Sequence, residues 1–268
     1  MQNIYNFIKN ENLKKNLFSI LHTCMKRALS NEEKNTKRKK DGTFITKADK
    51  EIHEIIKNSL INFYPSIPVI SEEGEFRKEN FLEELYWLID PIDGTSSYVK
   101  GFSSYTINIA LIYKGSPILG IIGNPPTNSI WYGNGNTGIK VKNHIQLRLK
   151  TNKTIKKKVK IILSQNSDLI TKNFVDQIQN NSVEYCSSSL KFCILAEGKA
   201  DLYPRLNSIS KWDIAAGDAI LRSAGGVVLN DKGKEYLYNT NEVETGEFYA
   251  IATKQVWSHI EKIKSNVR

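Results

Sequence analysis

Tyr86-Trp-Leu-Ile-Asp90-Pro-Ile-Asp93-Gly-Thr95 joins an apolar run to a turn bearing two carboxylates. Four apolar residues bounded by turn chemistry read as a buried strand, so both acids are expected to project from one turn at a strand end, where sites are usually built. Asp-Pro-x-Asp-Gly is equally a good generic turn, with proline presetting φ and glycine accepting positive φ. The surrounding acids have to decide between the two.

Upstream, the short apolar pair Val69-Ile70 is followed by Ser71-Glu72-Glu73-Gly74; downstream, Trp212-Asp213 opens a helical pattern. A charged turn and a helix N-cap are the ordinary readings of these acids. Asp41 and Asp49, flanking Gly-Thr-Phe-Ile-Thr-Lys-Ala, lie near the same half of the chain. If these acids gather, they need cations, and oxygen ligands without thiolate or imidazole select magnesium over zinc. His22, His53, His144 and His259 have no ligand spacing and read as surface or local packing. G-x-x-x-x-G-K-[ST], G-x-S-x-G and H-E-x-x-H are all missing. Gly133-Asn-Gly-Asn-Thr-Gly138 matches G-x-G-x-x-G, but a basic strand-like stretch follows it, so it reads as a glycine-rich turn.

Further out, apolar residues at helical spacing predict helices over 4–29 and 46–63, separated by an exposed polar loop, Asn31 to Gly42. Tyr105–Tyr113 and Pro117–Gly123, joined by Lys114-Gly115-Ser116, predict an antiparallel hairpin. The second half predicts strands at 159–163 and 200–203, and helices at 190–196 and 213–224, the last closed by Gly225-Gly226. The strongly basic stretch 140–160 is the candidate junction between an N-terminal lobe, about 1–150, and a C-terminal lobe, about 151–268, of one unit.

The 268 residues are 40% hydrophobic and 25% charged, with Gly 16 and Pro 7, an ordinary globular composition that excludes fibres and low-complexity chains. A net charge of +10 suits polyanionic ligands without naming one. Three cysteines, an odd number without a C-x-x-C, imply neither a disulfide framework nor a thiolate metal site, and a reducing cytoplasm fits them. The most apolar segment, Tyr105 to Ile122, is broken by Lys114-Gly115, so no integral membrane segment is expected.

Taken together, Asp90-Pro-Ile-Asp-Gly-Thr95 and Trp212-Asp-Ile-Ala-Ala-Gly217 resemble the signature pair of the inositol monophosphatase superfamily of magnesium-dependent, lithium-sensitive phosphatases. Phe44-Ile-Thr-Lys-Ala-Asp49 and Ile70-Ser-Glu-Glu73 fall in the same order, so the resemblance covers about Asp41 to Val228. Ser188-Ser-Leu-Lys191 through Tyr203-Pro-Arg205 looks like the CysQ-type 3'(2'),5'-bisphosphate nucleotidase branch, although Ser187 stands where that branch commonly has glycine.

The resemblance implies an α/β layered fold, an α-β-α-β-α sandwich, and hydrolysis of 3'-phosphoadenosine 5'-phosphate to AMP and phosphate. It implies two or three Mg2+ ions held by Glu72, Asp90, the Ile92 carbonyl, Asp93 and Asp213, with inhibition by Li+ and a further weak ion near Asp41. Thr95 with Asp49 would orient and deprotonate the attacking water, with Glu72 among the catalytic acids. Glu72, Ile92, Asp93, Gly94, Thr95, Ser188, Ser189, Lys191, Arg205 and Asp213 would face the phosphorylated small molecule. A homodimer is a further expectation from the family.

The nearest rival is an inositol-phosphate or other sugar-phosphate phosphatase using the same metals. A basic nucleic-acid-binding protein is the remote alternative; nucleic acid is not expected, because the lysines lack the interleaved aromatics of a stacking platform.

Overall fold

The computed structural model describes residues 2–30, 36–38, 44–155 and 158–266. At the N-terminus the expected single helix is two, α1 (Gln2–Ile8) and α2 (Glu11–Leu29). The break follows from Asn10, whose side chain accepts the Asn12 N–H and so caps a new helix. Part of the expected loop is strand instead: β1 (Thr36–Arg38) pairs antiparallel with β2 (Phe44–Thr46). The rest of the Asn31–Gly42 run, Asp41 included, lies outside the described residues. A capping box between Thr46 and Asp49 starts α3 (Lys47–Phe63).

A mostly antiparallel sheet of seven strands follows, in consecutive order: β3 (Val69–Ser71), β4 (Leu85–Asp93), β5 (Thr106–Tyr113), β6 (Ser116–Asn124), β7 (Ser129–Gly133), β8 (Gly138–Lys142) and β9 (Ile145–Arg148). The helix α4 (Thr95–Val99) sits between β4 and β5. Gly133 and Gly138 end β7 and begin β8, which makes G-x-G-x-x-G a hairpin turn. β8 and β9 occupy the first part of the basic stretch, and Lys156-Lys157 lie outside the described residues.

The second half contributes β10 (Val159–Leu163), α5 (Leu169–Asp176), β11 (Asn181–Tyr185), α6 (Leu190–Ala196), β12 (Leu202–Arg205), α7 (Ala215–Ala224), β13 (Val227–Asn230), β14 (Phe248–Ile251) and α8 (Lys254–Asn266). Its five strands order as β11-β10-β12-β14-β13.

Side chains alternate across strands, so each face of a sheet builds its own core. Trp87, Ile89, Ile107, Ile109 and Leu111 pack on α2 and α3 through Leu17, Leu21, Ile52 and Ile56. On the opposite face Tyr86, Leu88, Ala110 and Ile112 meet α6 and α7. Those helices in turn cover Ile162, Tyr203, Val228 and Ala250 of the second sheet. α5 and α8 cover its far side through Phe174, Val175, Val256 and Ile260. The result is the five-layered α-β-α-β-α sandwich. Because both sheets are covered on both faces, β4, β5 and β6 read as nearly unbroken apolar runs.

α7 lies unusually close to the first sheet. A methyl group on Gly120 would stand 2.3 Å from the Ala216 carbonyl oxygen, inside contact distance of backbone rather than of a movable side chain. Gly120→Ala is therefore expected to destabilise the protein by about 1–3 kcal/mol or more, because neither backbone can retreat without opening a packed core. Thermal unfolding checks this; a midpoint within a degree of the parent would show that α7 can shift freely.

Candidate active site

Four segments converge at the edge of the central layer. β4 does not end at Asp90: it continues to Asp93 through a register shift, in which Asp90 pairs with Asn108 and Asp93 with Thr106. Pro91 and Ile92 on one strand thus oppose Ile107 alone on the other, which is a β-bulge. Residues three apart on a regular strand face opposite ways, so the inserted residue turns Asp93 back to the side of Asp90. Pro91, which has no N–H for the ladder, sits in this irregularity. Gly94 then takes a left-handed φ of 87°, and its missing side chain leaves room beside the Ser104 carbonyl and Ser188.

Glu72 arrives from the first sheet's edge. β3 runs parallel to β4 with Ser71 opposite Ile89, which carries Glu72 alongside Asp90. His53, buried on α3, bonds Ser71 Oγ through Nδ1 at 2.7 Å, and Ser71 Oγ accepts from Glu73 N at 3.4 Å, which ties this turn to the helix. Asp213 arrives from the other half of the chain, at the end of the helical turn Lys211–Asp213 that leads into α7.

Ligand oxygens of Asp90, Asp93 and Asp213 lie within 4.8 Å of one another. Asp90 is fully buried, and neither of its oxygens accepts a hydrogen bond from any described donor. Burial first, then the charges of Glu72, Asp93 and Asp213, hold its carboxyl well above the usual carboxylate range. Burial and the charges of Asp93 and Glu72 raise Asp213 too, against a hydrogen bond with Asp90 and the pull of Arg205. Buried anions left without donors are costly, and hard divalent cations satisfy this all-oxygen set. The residues fit magnesium.

Beside the acids a cavity of about 240 Å3 is lined by Asp93 and Asp213 at one end and by Ser188, Lys191, Ser164 and Arg205 elsewhere. Lys191 is buried, donating from Nζ to the Ser188 carbonyl at 2.6 Å with its ammonium over the Tyr203 ring. Arg205 donates to Ser164 Oγ at 3.4 Å, and its buried Nε has no acceptor among the described residues. The cavity therefore combines clustered acids with two cations.

The profile of the inositol monophosphatase family matches residues 4–265. The chain belongs to the inositol monophosphatase family. Within it, the 3'(2'),5'-bisphosphate nucleotidase CysQ of Salmonella typhimurium is 36% identical over 209 residues, covering 76% of this chain and 83% of that protein. The CysQ of Buchnera aphidicola is 35% identical over 237 residues, 86% of this chain and 89% of its own. The crystal structure of CysQ from Bacteroides thetaiotaomicron, described as a bacterial member of this family, superposes with a TM-score of 0.78 at 25% identity, covering 89% of this chain and 96% of that one.

The residues expected from the family signature divide between cavity wall and buried support. Ser188 lines the cavity, with a φ of 58°, whereas Ser189 is buried behind Asp93. Ser189 bonds Asp93 Oδ2 through its backbone N–H at 2.6 Å, and its hydroxyl lies 2.7 Å from both Asp93 Oδ2 and the Asp213 carbonyl. Thr95 donates its hydroxyl to the Ile92 carbonyl at 3.0 Å. Asp49 is buried and accepts the Thr46 N–H at 2.8 Å as well as the Thr46 hydroxyl. Sequence reasoning missed Ser164, Gln165 and Asn166 on the cavity wall, and it missed Asn108. Asn108 did leave a signal, being a polar residue inside the apolar run Tyr105–Tyr113.

Among the described residues no helix is long and apolar enough to cross a membrane. Cys24, Cys186 and Cys193 are free thiols.

Proposed function

We propose that the chain is a magnesium-dependent 3'(2'),5'-bisphosphate nucleotidase that hydrolyses 3'-phosphoadenosine 5'-phosphate to AMP and phosphate. The observation that carries the reading is the cavity itself, with Asp93 and Asp213 at one end beside the buried, donorless Asp90, and with Arg205 and Lys191 on its wall. The identity to CysQ nucleotidases supports the same substrate class.

Glu72, Asp90, the Ile92 carbonyl, Asp93 and Asp213 would hold the ions. Magnesium, when bound, neutralises charge on the phosphate oxygens and makes a coordinated water more acidic. Gly94 and Thr95 would present backbone N–H groups to the scissile phosphate. Water would attack phosphorus as the ester bond to the ribose oxygen breaks, and that oxygen would take a proton from a second water molecule and leave as the AMP hydroxyl. Thr95 and Asp49 would orient the water and take its proton, which requires the Thr95 proton to turn from the Ile92 carbonyl to the Asp49 carboxylate. Arg205, as a planar fork, and Lys191, as a point charge, would receive the second phosphate. Lithium would inhibit by entering the same carboxylate cluster.

Phosphate release tests this. With magnesium, kcat/KM for 3'-phosphoadenosine 5'-phosphate should exceed that for inositol 1-phosphate by about a hundredfold, because the single-phosphate substrate leaves Arg205 without its partner. Chelation by EDTA should abolish release from both. Preference for inositol 1-phosphate would overturn the nucleotide assignment, and release insensitive to EDTA would overturn the metal assignment.

A further inference from the structure

We propose that Asn108 is a positioning residue that fixes Asp93 for cation binding, an inference that rests on the metal reading above. Asn108 stands on β5 directly across from Asp90 and is buried beneath the acids. Its Nδ2 donates to Asp93 Oδ2 at 3.3 Å and to Ser189 Oγ at 2.9 Å. Turned the other way, its carboxamide would set an oxygen against the Asp93 carboxylate, so the bonding pattern assigns the amide orientation.

The consequence lies in how the Asp93 oxygens are divided. Oδ2 faces every donor: the Ser189 N–H, the Ser189 hydroxyl, the Asn108 amide and, at 3.4 Å, the Thr106 hydroxyl. No described residue donates to Oδ1. One oxygen is therefore saturated by protein, and the carboxylate is held with the other left for a cation. Asn108 also fills the acceptor side of the Ser189 hydroxyl, which leaves that hydroxyl's single proton for Asp93 or for the Asp213 carbonyl. The amide thereby links the ligand from the first sheet to the ligand before α7. Its own Oδ1 is buried without a donor among the described residues, as expected of a group placed for its N–H bonds.

The test is Mn2+ binding to the metal-free protein, followed by calorimetry, in Asn108→Leu and Ser189→Ala, alone and combined. Leucine fills the volume of the amide and removes only its polar atoms. Asn108→Leu should weaken Mn2+ binding by about 10–100-fold, as loss of an outer-shell partner does, while the metal-free midpoint of unfolding stays close to that of the parent. The double variant should lose much less than the product of the two single losses, because both act through Asp93. A residue that merely fills space would leave Mn2+ affinity unchanged in Asn108→Leu, and that result overturns the inference. If Asn108→Leu does not fold, Asn108→Val with parental Mn2+ affinity overturns it equally. A parent protein that binds no Mn2+ would overturn the metal reading itself, and this inference with it.

Discussion

Asp90→Asn is expected to abolish phosphate release, by at least about a thousandfold, while making the metal-free protein more stable. The two effects have one cause. Asp90 is buried with no described donor and faces Glu72, Asp93 and Asp213, so without a cation the cluster is a concentration of like charge that folding has to overcome. Asparagine keeps the shape, removes one charge and adds an N–H for its acidic neighbours. About 1 kcal/mol moves the unfolding midpoint of a chain this size by roughly 2–4 °C, so a rise of several degrees is expected without divalent cation. Magnesium should reverse the order. At a hundred times its dissociation constant a ligand stabilises by about 2.7 kcal/mol, which the parent should show and the variant should largely lose. Paired thermal scans with EDTA and with magnesium decide it. A variant less stable than the parent in EDTA would mean that the Asp90 carboxyl stabilises the metal-free protein, and would overturn this expectation.

Arg222→Leu carries the largest expected cost in stability. Asp218, fully buried on α7, receives the Arg222 Nε at 2.7 Å and the Tyr238 hydroxyl at 3.2 Å. Burial pushes the Asp218 carboxyl up and Arg222 is the chief force opposing it. Removing the guanidinium strands a carboxylate in the core, at a cost of about 3–5 kcal/mol, and the midpoint should fall by roughly 10 °C. Arg222→Leu combined with Asp218→Asn should recover most of that loss, because the stranded charge goes with it. The arrangement is distant in role from the clustered acids, so calorimetry without cation is the appropriate reading. A loss below about 1 kcal/mol in the single variant would show that Tyr238 and solvent suffice for Asp218.

The acidic signature was legible because its chemistry is local: Asp90, Asp93 and Asp213 sit in short motifs whose residue types suit a cation. Their relative geometry was less so. Pro91 and Gly94 read as an ordinary turn, whereas the strand continues through a bulge, which depends on the partner register with Asn108 and Thr106. Ser189 carried a substrate role by family resemblance, and its burial behind Asp93 depends on α6 docking beside α7. The layering was implied by the family resemblance, and the unbroken apolar run Tyr105–Tyr113 turns out to be a strand covered on both faces. The strands β11, β13 and β14 were not foreseen, being segments of only four or five residues. The helix break at Asn10 turned on a single cap.

Asp93 and Asp213 are brought together from opposite halves of the chain, and the close seat of α7 on Gly120 helps hold the second of them in place. A cation shared between them is therefore also a reversible cross-link, closing a long loop of polypeptide much as a disulfide would. Such a clip removes chain entropy from partly opened states. Its release would free the seam between the two halves before either sheet comes apart, so that seam is where proteolysis should begin when the cation is withdrawn.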